Sequence, residues 1–202
     1  VSHLNAVCNT TDFREAYSTQ QPEIVRFSNQ LAQNKVIYKS LSNLKRQKAI
    51  KDETQLRIIE AELISMNNKG IGLEEKEKII FNSYSERSAQ LSTIFSNNVL
   101  DATNNWSLLL KERSEIEGLP EGILETLALA ARDAGDKSKE NIAPSATSGP
   151  WRIGLDLPRY IPFLTYAKNR KLREIVYIAF VSRASEGKFS NKNNIEEILD
   201  IR

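Results

Sequence analysis

Apolar residues recur at three- and four-residue spacing through most of this chain, the period of helices that bury one face. Thr10 or Thr11 can cap a short helix to about Thr19 that buries Phe13 and Tyr17, and the first eight residues suit the tail of another. Pro22 is placed for a first turn, with Glu23 beside it to suit the dipole. Ile24, Phe27, Leu31, Tyr38 and Leu41 then form one stripe, broken by Asn34, which predicts a helix from Pro22 to about Asn43. Asp52 caps the next, with Leu56, Ile59, Leu63 and Met66 on one face, and Gly70-Ile71-Gly72-Leu73 makes the turn after it.

From Glu74 to about Leu110 the spacing persists through Phe81, Tyr84, Leu91, Ile94, Phe95, Val99, Ala102, Trp106 and Leu109. A helix of roughly 36 residues would rise about 55 Å, against roughly 35 Å for the width of a compact globule of this length. Such a helix is expected to project, or to have a further part of the protein packed along it; a coiled coil is the alternative, weakened by Ser88 and Asn98 in the stripe. The run Asn97-Asn98-Val99-Leu100-Asp101 places three poor helix formers in five residues, each costing roughly 0.5 kcal/mol relative to Ala. That cost predicts neighbours that use their polar groups.

Beyond Gly118-Leu119-Pro120 a helix is predicted over Glu121–Ala134, then an exposed loop from Gly135 to Pro150. Trp151 to Leu157 alternates as a half-buried strand does, and Glu112–Ile116 could pair with it. Pro158 stops that strand and opens a short helix, Arg159–Ala167. Asn169 caps another to about Ser185 that buries Leu172, Val176, Ala179, Phe180 and the stem of Arg183, and a last helix starts near Asn194. No internal repeat is present. The expected fold is mostly α: a single domain, residues 1–202, of antiparallel and irregular helices with one long helix and at most a small β-ribbon.

Composition narrows the function. Of 202 residues, 28 are basic and 26 acidic, a net charge of +2 that gives no footprint for nucleic acid. Lys45, Arg46, Lys48 and Lys51 cluster between two helical patterns and read as a solvated linker. No apolar run approaches the ~20 residues that span a bilayer, and Ile175–Val181, the longest, is interrupted by Tyr177. Neither nucleic acid nor a membrane is an expected partner. Cys8 is the only cysteine, which fits a reducing compartment. His3 is the only histidine, so neither a Ser-His-Asp triad nor a multi-histidine metal site can be assembled. Pairs such as Glu74 with Lys78, or Glu196 with Asp200, read as solvated faces. No phosphate-binding glycine motif occurs. The residues themselves nominate no catalytic or metal-binding side chain and leave substrate-binding residues unknown.

Several ordered blocks carry a family resemblance: Ser2-His3-Leu4-Asn5-Ala6-Val7, Phe13-Arg14-Glu15-Ala16-Tyr17, Phe95 through Thr103, Gly118-Leu119-Pro120-Glu121, Leu155 through Ile161-Pro162, Asn169-Arg170-Lys171-Leu172-Arg173-Glu174, Ser182-Arg183-Ala184-Ser185 and Asn194 through Leu199. In these the chain resembles the N-terminal portion of the thimet oligopeptidase/neurolysin family of zinc metallopeptidases. The resemblance implies a nearly all-helical enzyme in two halves around a channel that admits short, unstructured peptides. It implies zinc held by an H-E-x-x-H helix and a further glutamate, none of them in this chain, so no zinc is expected here and the chain alone is expected to be inactive. The partners implied are short peptides and the missing catalytic domain; the compartment implied is the cytoplasm, or the lumen of a mitochondrion or chloroplast. The chain starts Val-Ser-His and ends in an uncapped helical pattern, so both ends are expected to be cut. Two other readings compete: a self-standing helical module that binds peptides or proteins without cleaving them, and a helical structural domain.

Overall fold

The computed structural model describes residues 2–47, 50, 52–138 and 141–202. Lys48 and Lys51 of the basic cluster lie outside the described residues, as do 139 and 140 of the loop before Pro150. The elements are α1 (Ser2–Val7), α2 (Thr11–Ala32), α3 (Lys35–Arg46), α4 (Glu53–Asn68), α5 (Glu75–Asn105), β1 (Ser107–Leu110), α6 (Glu121–Asp133), β2 (Trp151–Gly154), α7 (Leu157–Tyr166), α8 (Arg170–Val181) and α9 (Lys192–Ile201). The fold is mostly α, with one small two-stranded sheet among the described residues. Two compact units form, one from the residues up to Ile94 together with Glu197–Arg202, the other from Phe95–Glu196.

In the first unit, caps decide where helices begin. The Thr10 hydroxyl accepts the Phe13 N–H at 3.3 Å and starts α2. The expected break before Pro22 is absent: α2 runs through it. Pro22 deprives the Ser18 carbonyl of its donor, but Ser18 is exposed, so water can take that role. The break comes later. Asn34 is not a gap in a stripe but the cap of α3, its side-chain oxygen accepting from Val36 and Ile37. Asp52 caps α4 as expected, accepting from Gln55 at 2.9 Å. Ile59 and Met66 of that helix are buried, as are Ile71 and Leu91.

The second unit holds the larger core. Leu110, Trp151 and Ile153 of the two strands pack with Leu124, Leu127 and Ala128 of α6, Phe163 of α7 and Val176 of α8. Full burial of such side chains is worth about 1.5–3 kcal/mol each. The ribbon is antiparallel, Ser107 opposite Gly154 and Leu110 opposite Trp151. It corrects two expectations. The long helix ends at Asn105, giving 31 residues, about 46 Å, because Thr103-Asn104-Asn105 weaken it and Ser107–Leu110 gains more in the sheet. The partner of β2 is therefore β1, not Glu112–Ile116. Those residues instead form a 3₁₀ turn, Arg113–Glu115, in which the Glu115 carboxylate accepts from the Lys111 and Glu112 N–H groups. β2 itself stops at Gly154, since Leu157 already opens α7.

At Gly118 (φ +92°) the chain reverses against the end of α7. A Cβ there would lie 2.3 Å from the Tyr166 carbonyl oxygen, a position open only to glycine. Next to it the Lys168 N–H donates to the Glu117 carbonyl at 2.9 Å and the Lys168 ammonium meets the Glu117 carboxylate at 2.7 Å. Asn169 then caps α8 through Leu172 N–H, as expected, although the helix stops at Val181 instead of Ser185.

Candidate functional site

The polar run in α5 is a junction of the second unit. Asn98 donates from its side-chain amide to Oδ1 of Asn191 at 2.9 Å. Asn194 donates to the same oxygen at 3.1 Å, and Asn191 returns its own amide to the Phe95 carbonyl at 3.2 Å. The Asn191 backbone is used as well: its N–H donates to Ala184, and its carbonyl accepts from Ile195 in the first turn of α9. Asn191 is 1% exposed. One buried amide thus ties α5 to the start of α9 with both of its polar atoms engaged, the condition under which a buried amide is tolerated. Asn97, Asn98 and Asp101 are half-buried, and Asn97 and Asp101 also have partners. The helical cost read from the sequence is met here by packing.

A second anchor lies at α7 and α8. The Tyr160 and Phe180 rings stack at 3.8 Å and 12°, and the Arg183 guanidinium sits 3.6 Å from the Phe180 centroid while donating to the Phe180 carbonyl at 2.8 Å. Two groups so close to one ring must occupy opposite faces, so Phe180 is held between them. Burial pushes the Tyr160 hydroxyl above its ordinary pKa. The loop ahead of β2 is held by Arg152, which forks onto Asp136 at 2.7 Å for each contact. This hydrogen bonding raises the Arg152 pKa against the opposing effect of burial.

In the first unit, α2 turns a polar stripe to α5. Gln21 donates to the Ala89 carbonyl, Arg26 forks onto Glu86, and Gln33 reaches both Asn82 and the Lys69 carbonyl. The hydrogen bonds to Glu86 raise the Arg26 pKa. The apolar stripe read from the sequence consequently faces outward, with Ile24 50%, Phe27 66% and Leu31 51% exposed. Lys78, expected on a solvated face with Glu74, is buried and reaches Glu75 instead at 3.4 Å, its long apolar stem accounting for the burial. Lys45 of the basic cluster pairs with Glu60 at 3.0 Å.

Three open clefts accompany these features. One of about 470 Å³ is lined by Val25, Phe81, Tyr84, Ala89, three serines of α5 and Ile201. Another, about 630 Å³, lies between α6 and Ser145–Thr147, and a third of about 460 Å³ is lined by Leu164, Arg170, Arg173, Glu174 and Tyr177. None holds a nucleophile paired with a base. His3 and Cys8 are both exposed, and among the described residues no hydrogen bond joins them and no group of three His, Cys, Asp or Glu could hold a metal ion. No helix of the described residues is long and apolar enough to cross a membrane.

Among the described residues the scaffold is mostly helical, with a buried amide junction at Asn191. Residues 1–78 match the family model for the neurolysin/thimet oligopeptidase N-terminal domain. The whole chain aligns with a probable cytosolic oligopeptidase A of Arabidopsis thaliana at 39% identity, covering 28% of that protein. It aligns with the organellar (chloroplastic/mitochondrial) oligopeptidase A of the same plant at 39%, covering 25%, and with oligopeptidase A of Haemophilus influenzae at 37%, covering 29%. These matches bear out the resemblance: the chain is a relative of the neurolysin/thimet oligopeptidase family. Within that family its likeness is to the N-terminal portion of oligopeptidase A. It spans between a quarter and three tenths of the length of these relatives.

Proposed function

We propose that the chain is the N-terminal part of a zinc-dependent oligopeptidase, its helices forming wall for a channel that admits short, unstructured peptides and that a catalytic portion completes. The observation that carries this reading is alignment of the entire chain, at 37–39% identity, with oligopeptidases A several times its length. The outward apolar residues of α2 support it, since they offer surface for the remainder of such a protein to cover. The relatives' names include a cytosolic and a chloroplastic/mitochondrial protein, and the cytoplasm or an organelle lumen is the compartment proposed here.

The residues present do not fit a zinc centre. The single histidine is exposed at α1, and the described residues contain no metal-holding group. No step of peptide hydrolysis is therefore assigned to this chain; in this reading the metal ligands and the general base belong to the catalytic portion. What the chain supplies is position: helices locked by the Asn98–Asn191 junction and the Tyr160–Phe180–Arg183 stack.

The test is to assay the purified chain against quenched fluorescent peptides and to measure its metal content. The expected result is no turnover and no stoichiometric zinc, with both present in a longer protein that contains this chain. Turnover by the pure chain would contradict the division of labour. Specific peptide binding with no longer protein in existence would favour the self-standing binding module.

A further inference from the structure

We draw no further inference here: the strongest candidate, the exposed apolar stripe of Ile24, Phe27 and Leu31 along α2, is an unpartnered helix face, and nothing in the structure shows what covers it.

Discussion

Asn191, 1% exposed, joins α5 to the start of α9 with both polar atoms of its side-chain amide engaged. Replacing it with Ala leaves the amides of Asn98 and Asn194 and the carbonyl of Phe95 without the partner they share. A buried polar group stripped of its partner costs about 1–3 kcal/mol. Asn191→Ala is therefore expected to destabilise the chain by at least about 2 kcal/mol in urea unfolding, and Asn98→Ala, whose site is half-buried, by less. Equal and negligible effects would remove the junction from the account.

Charge acts more weakly at this scale. The Arg87 guanidinium forks onto Glu197 at 2.5 and 2.7 Å, and these hydrogen bonds hold the Glu197 carboxyl below its usual pKa. A carboxyl depressed by folding contributes stability that is fully present above its unfolded pKa, roughly 4.3, and is lost as pH falls through the lower folded value. Both side chains are more than a third exposed, so the contribution is small and screened by salt. Any advantage in thermal midpoint over Glu197→Gln at pH 7 is expected to shrink in high salt and to vanish at strongly acid pH. An advantage that grew on acidification would have the wrong sign.

At the scale of elements, glycine offers a paired test. Gly118→Ala puts a side chain on left-handed backbone, costing about 1–2 kcal/mol, and drives it into the Tyr166 carbonyl. Gly122→Ala, inside α6 with nothing within 4 Å of the new methyl group, is expected to stabilise by up to about 1 kcal/mol. Opposite shifts in unfolding midpoint check both. Helix existence was legible wherever caps and periodicity agreed, as at Asp52 with α4 and Asn169 with α8. It failed where one local signal had two meanings. Pro22 and Asn34 each mark a boundary in isolation, but α2 runs through the first beside exposed Ser18, where water can replace the lost donor, and the second is a cap. The end of α5 is not marked in the sequence because Trp106 and Leu109 keep helical spacing while Leu108-Leu109-Leu110 is a short apolar run that suits either element, and only pairing with β2 separates the two. The polar run in α5 was legible as a cost. Its chief partner, Asn191, lies 93 residues from Asn98 and has no local signal. The outward face of α2 was hidden for a similar reason: periodicity finds an apolar stripe but cannot tell which neighbour it meets.

For the whole molecule, the two units differ in a way that matters for function. The second has a contiguous core built from strands and three helices. The first buries few large apolar side chains and leaves several exposed on α2, α3 and α4. An element with an apolar face toward water is normal at an interface and costly elsewhere, which accords with the proposal that the chain is one part of a larger enzyme. The central claim is that membership, and the most direct measurement is the messenger RNA that encodes this chain, sequenced through the codon for Arg202. The account predicts an open frame that continues for several hundred codons and contains an H-E-x-x-H helix. A stop codon within a few codons of Arg202 would contradict it.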